Sequence, residues 1–395
     1  MKRFSIILLL ILASCSKIPG AISLRRGDTL DRNIHPEKVV STGSFAPDTT
    51  GDSPVFEDPE ISPRIYACGV ERPESASPAF VVFEDGERII EYELGVPAVD
   101  ADSHYLVGRD MYVTATEGQM TTVYKNGEKL FTYKAREYVT FLISRADGVW
   151  TLGLDRGGDG FALRHDGVQV FAKAGGIPGR LYQDSGHLYF DYAITMGEKK
   201  MRYLVKEGEA ISLTSPSGGE LRAVTVSEDD IWYLEDCPEG WLLSCGKESY
   251  KYRYKSSSTI KSAVLYGRPG GCAAVIDLGK TNGLQIELVC SGEKMWTKVV
   301  ENGSYYYYDC APDMYITFTR NAGELSVCEF GGELQEMIEG VRLEGGRCAM
   351  QYDGQIYLAC TPMDGSPPFI WKRGNMRMAI DLQGYLTGIF VSAPD

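Results

Sequence analysis

The chain has 395 residues, 44% hydrophobic and 24% charged, a composition that argues against disorder over most of its length. With 40 Lys+Arg against 54 Asp+Glu, the net charge of −14 argues against a nucleic-acid partner held through phosphate contacts. Four histidines leave no basis for a multi-histidine metal centre, and no motif calls for a cofactor.

Lys2 and Arg3 precede an apolar run, Phe4 to Leu12, broken only by Ser5. The run is too short to span a bilayer as a mature helix, which takes about 20 residues. It ends in Leu12-Ala13-Ser14-Cys15, one apolar residue, two small ones and a cysteine. This tetrad resembles the lipobox of bacterial lipoproteins. The resemblance implies a signal peptide over residues 1–14, a diacylglycerol thioether on the Cys15 sulfur and an acylated new N-terminus. It therefore makes the membrane a partner through a lipid anchor. Ser16 stands where an Asp would signal inner-membrane retention, which agrees with an outer-membrane address. No acidic run of the kind found on surface-exported lipoproteins follows, so the periplasmic and outer faces both stay open.

From Cys15 to Pro63 the pattern changes. Prolines recur at 19, 36, 47, 54, 59 and 63 among Ser, Thr, Asp and Glu, and no periodic apolar run survives. Residues 15–63 are expected to form a flexible tether with a reach of roughly 35–40 Å.

Residues 64–395 repeat. An anchor in a short apolar strand returns eight times, at Tyr66, Tyr112, Trp150, Tyr189, Trp232, Ala273, Tyr315 and Tyr357, with a mean spacing of about 42 residues. Each anchor is preceded by a tight turn. Most are followed by a hairpin signal such as Glu84-Asp85-Gly86-Glu87, Lys125-Asn126-Gly127-Glu128 or His165-Asp166-Gly167. Asx-Gly suits a two-residue hairpin because both central positions of a type I′ turn need positive φ. Each repeat therefore reads as four antiparallel strands. In the seventh they are Tyr305–Cys310, Met314–Thr319, Leu325–Phe330 and Leu334–Ile338.

Four antiparallel strands per 42 residues predict an all-β fold, a β-propeller. The repeats give eight blades, or seven if the degenerate fifth (near Gly246-Lys247-Glu248) or the sixth is irregular. The first repeat lacks its innermost strand and the last is followed by a spare one, Tyr385–Val391, which would close the ring. A closed ring of this kind is expected to be monomeric. The blades lack the signatures of WD40, kelch and quinoprotein repeats. Met111-Tyr112-Val113-Thr114 with Val123-Tyr124-Lys125-Asn126-Gly127 resembles the blades of a group of bacterial β-propeller lipoproteins. That resemblance covers residues 64–391 and implies fold and location, not activity.

The two kinds of tight turn should share one face of the ring, leaving the longer loops on the other. That loop face would carry Glu71, Arg72, Asp155, Arg156, Asp159, Lys280, Asn282, Arg320 and Asp364, a polar rim suited to a sugar or a peptide. Asp155 with Asp159, and Glu235 with Asp236, qualify by residue type alone as the carboxylate pair of a glycosidase. No Gly-x-Ser-x-Gly elbow supports a serine hydrolase, and His104 falls in the innermost strand of repeat 2. Nine cysteines follow Cys15 without a Cys-x-x-Cys; Cys348 with Cys360, or Cys237 with Cys245, lie on adjacent strands and qualify for pairing. Tyr305–Tyr308 reads as inter-blade core, with a sugar-stacking platform as the alternative. Two functions fit: a non-catalytic binding or scaffold module for a glycan or an envelope protein, and a carbohydrate-active enzyme with carboxylates in the central channel.

Overall fold

The structure, a computed structural model, describes residues 63–72, 78–93, 103–158, 160–197, 199–246, 248–254, 259–280, 283–290, 293–301, 304–311, 314–321, 324–329, 334–344, 347–353, 355–372 and 376–393. Across most of 280–337 the description covers the backbone only. The signal peptide, Cys15 and the tether lie outside the described residues, as do Asp159 and Asn282. So do the side chains of Lys280, Arg320 and Tyr305–Tyr308.

The described residues form strands and turns, without a helix, in eight sheets. The fold is a β-propeller. In blades 2 to 8 the strands run in chain order from the axis outward, each antiparallel to the next. All eight anchors sit in the second strand of their blade. Blade 1 is the exception in connectivity: Arg64–Glu71, Ala79–Glu84 and Glu87–Glu93 are joined on the inside by the C-terminal strand Gly384–Ser392. Tyr66 pairs with Phe390 across this junction, so the chain end closes the ring as expected. Blades 5 and 6 are regular four-stranded sheets, which removes the seven-blade alternative.

The core is divided among the blade interfaces. Strand alternation sends successive residues to opposite faces, and in a propeller both faces are covered by a neighbour. Phe390 packs towards Leu106, Met111 and Val113 of blade 2, whereas Leu386, Ile389 and Val391 pack towards Tyr357 and Ile370 of blade 8. Burying each such side chain contributes roughly 1.5–3 kcal/mol. Cys68, Cys272, Cys348 and Cys360 belong to this packing as fully buried thiols, and Cys237 and Cys245 are free as well. Neither adjacent-strand cysteine pair is joined: Cys237 lies opposite Gly240, and the Cys348 carbonyl accepts from Ala359 N–H, not facing Cys360.

The outer hairpins show why Asx-Gly recurs. Asp85, Asn126, Asp166 and Glu207 all have φ near +50°, followed by Gly86, Gly127, Gly167 and Gly208 at +80° to +89°. The side chain of each first residue accepts from the backbone N–H that opens the second strand of its own blade: Ile65, Met111, Val149 and Leu188 donate at 2.7–2.9 Å. The hairpin tip is thus tied to the inner tight turn, and both kinds of turn do share one face. At Gly127 a Cβ would also stand 3.3 Å from Ile90 of the preceding blade, so the glycine serves both φ and close approach.

Candidate functional site

The longer connections lie on the opposite face. The described residues of the expected rim sit at the ends of second strands in blades 1, 3 and 8, and each is engaged locally. Glu71 accepts from Arg88 at 2.6 Å, and the Arg72 guanidinium stacks on Tyr385 at 4.9 Å. Asp155 accepts from Gly157 N–H at 2.8 Å. Arg156 lies over Tyr138, and burial lowers its pKa. Asp364 closes its own turn by accepting from Ser366 N–H, which holds its carboxyl below the usual value. Lys280 and Arg320 occupy the corresponding strand ends of blades 6 and 7.

The covered carboxylates Glu137, Asp191 and Asp236 near this face are matched by donors, and Glu235 is matched at Oε2 but not at Oε1. Glu137, 5% exposed, receives Arg164 Nη2 at 2.7 Å, Arg164 Nε at 3.1 Å and Tyr133 Oη at 3.2 Å. Burial, and secondarily that carboxylate, push the Tyr133 phenol up. Asp191 pairs with Arg202, and Asp236 with Arg222 and Tyr254. Glu235 accepts from Ser215 Oγ and from both Ser217 N–H and Oγ. Glu235 and Asp236 are successive strand residues and face opposite sides of blade 5, so they form no catalytic pair. Among the described residues, no group of three or more His, Cys, Asp and Glu is placed to hold a metal.

The innermost strands carry a feature that loop composition does not show. In blades 1, 3 and 5 they bulge at Thr387, Thr140 and Arg222, each three residues before the partner of the blade's anchor. Blade 8 is interrupted at the same height by Arg347, and blade 4 one residue further on, by Arg180. A bulge releases a residue from the ladder and re-aims its side chain. Arg180 reaches from blade 4 to stack on Tyr266 of blade 6 at 4.6 Å. Arg347 reaches from blade 8 to stack on Tyr105 of blade 2 at 3.9 Å, with Nη2 3.5 Å from the Thr140 carbonyl of blade 3. Each guanidinium therefore crosses the inner edge of the blade between. Beside Arg180 is a recess of about 20 Å³, lined by Tyr182, Gln183, Thr225 and Leu265. That is room for about one water.

Next to Arg347 lies His104, fully buried between Phe80 and Phe390. Burial, and secondarily the Arg347 charge, lower its pKa well below the usual imidazole value and keep it neutral. Gly388 makes room for it, since a Cβ there would overlap His104 Nε2. The usable sequence signals were Gly-Arg before the second-strand turn at Gly179-Arg180 and again at Gly346-Arg347, together with His104 in an inner strand.

No family model matches the sequence, and no curated protein matches it. Solved structures do. Apo AztD from Citrobacter koseri is 13% identical with a TM-score of 0.51, covering 85% of this chain and 100% of its own. The dihydro-heme d1 dehydrogenase NirN, in complex with DHE, is 13% identical with a TM-score of 0.51, covering 86% of this chain and 77% of its own. At this identity the likeness shows a shared β-propeller fold.

Proposed function

We propose that this chain is a lipid-anchored envelope protein whose propeller binds a partner without turning it over. Cys15 carries the anchor in the outer membrane, and residues 16–63 let the ring stand off the bilayer. The loop face meets a glycan or an envelope protein. The observation that carries the non-catalytic reading is the state of the loop-side carboxylates. Glycoside hydrolysis needs one carboxyl group free to donate a proton and a second free to attack or to activate water. Glu137, Asp191 and Asp236 are each held by a guanidinium of their own blade, and Glu235 accepts through Oε2 from two serines, its Oε1 alone being unmet.

The test uses the full-length lipoprotein in detergent, against a panel of polysaccharides and oligosaccharides. Melting temperature and the size distribution of the sugar are followed together. Binding without turnover raises the melting temperature and leaves the sugar unchanged. New reducing ends that accumulate with time would instead establish the carbohydrate-active enzyme. A flat response in both directs the search to protein partners by crosslinking in cells. For the anchor, Cys15→Ser should abolish incorporation of labelled fatty acid and release the chain from the membrane fraction.

A further inference from the structure

We infer that the channel wall at blade 1 is a binding site for a small oxyanion, a carboxylate or a phosphate, held by Arg347, Thr387 and His104. This goes beyond partner binding at the loop face and stands independently of it.

A guanidinium is never deprotonated in a protein, so a buried arginine keeps a full positive charge. Burial of such a charge is tolerated when an opposite charge and hydrogen bonds meet it. Three well-covered arginines follow that rule: Arg164 has Glu137, Arg202 has Asp191, and Arg222 has both Asp236 and Glu220. Arg347 does not. It is 4% exposed, yet no carboxylate among the described residues lies within ion-pair distance of it. The Tyr105 ring and one long contact to a carbonyl meet part of its charge, while Nε and Nη1 have no acceptor.

The unmet groups are concentrated here. Thr387, fully buried, has a hydroxyl with no partner, and both ring nitrogens of His104 lack one. All three residues meet at Gly388. It follows Thr387, pairs with Arg347 through a parallel bridge, and lies against His104 Nε2. Buried polar groups without partners in a folded protein point to a bound water or ion. With one of the three permanently cationic, the group that completes the site is an anion. An oxyanion offers several acceptor lone pairs at once, for the guanidinium N–H groups, the hydroxyl and one imidazole N–H.

The experiment follows the melting temperature of the full-length chain in a zwitterionic buffer free of added anions. Inorganic phosphate and acetate are titrated separately, and Arg347→Met and Thr387→Val are measured beside the wild type. The expected result is a saturable rise of roughly 2–5 °C in the wild type. That rise should be absent in Arg347→Met, with half-saturation about 5–10-fold higher in Thr387→Val. A stronger acetate response assigns the site to a carboxylate ligand, and a stronger phosphate response to a phosphate. A rise that is linear in salt and equal in all three proteins, an adventitious ion only, overturns the proposal. If Arg347→Met does not fold, Thr387→Val decides, because an unchanged half-saturation in that variant also overturns it.

Discussion

Arg180 and Arg347 stand half a ring apart and do the same thing geometrically: each leaves an interrupted inner strand and stacks on a tyrosine two blades further on. Their surroundings differ. Arg180 is half-buried beside a recess with room for about one water, whereas Arg347 is sealed at 4% exposure with two nitrogens unmet. One device therefore serves two ends. At blade 4 it straps three blades together with solvent at hand. From blade 8, beside the blade 1 junction where the C-terminal strand closes the ring, the same strap places an uncompensated charge against otherwise apolar packing. A repeated fold can thus carry a duplicated structural element of which one copy has the makings of a site.

The comparison can be broken most severely at the closure. Deleting residues 384–395 leaves blade 1 with three strands and exposes Ala67, Val81 and Phe83, and the account predicts loss of the cooperative thermal transition. A truncated chain that still melts cooperatively would show that the junction is not what closes the ring.

Arg164→Met comes next. It strands the Glu137 carboxylate without its cation and should cost about 3–5 kcal/mol in urea denaturation. A loss under about 1 kcal/mol would mean that the pair is not buried in solution.

His104 adds a pH dependence. Its pKa in the folded state lies below the ordinary value of about 6.5, so below that pH the unfolded chain binds a proton that the folded one refuses. Its contribution is complete above about pH 6.5 and is lost progressively as pH falls below that value. Replacing it in His104→Leu should flatten that part of the stability–pH curve. An unchanged slope would place the imidazole in contact with water.

The smallest effects bear directly on the two straps. Arg180→Met should cost about 1 kcal/mol through lost stacking and stem packing. Arg347→Met, measured without added anion, should be neutral or slightly stabilising, because it replaces an unpaired buried charge with an apolar side chain of similar length. Equal losses in the two variants would erase the distinction between them.

Much of the fold was readable from the sequence because its signals are local and repeated. The anchors sit in short apolar runs at a nearly constant spacing, and Asp85-Gly86 or Asn126-Gly127 suits a turn with positive φ. The spare strand at Gly384–Ser392 followed from counting strands. Blade 5 makes its inner turn at Glu228 and Asp229, with φ of +53° and +68°, without a glycine to mark it in the sequence. The channel wall was not readable. A bulge at Thr387 or Thr140 leaves the period-2 pattern nearly intact, and contacts such as Arg347 with Tyr105 join residues more than two hundred positions apart. The rim residues were selected by polarity, and polarity does not distinguish Asp364, which closes its own turn, from a side chain aimed at a ligand. Glu235 and Asp236 qualified as a pair by residue type alone, and their place as successive residues of one strand is what separates them.

The most direct measurement is anomalous diffraction from crystals of the full-length chain equilibrated with arsenate in place of phosphate. The account predicts an anomalous peak within hydrogen-bonding distance of Arg347, beside Thr387 Oγ1, with no counterpart in Arg347→Met crystals. Water alone at that position, or a peak that persists in the variant, would contradict it.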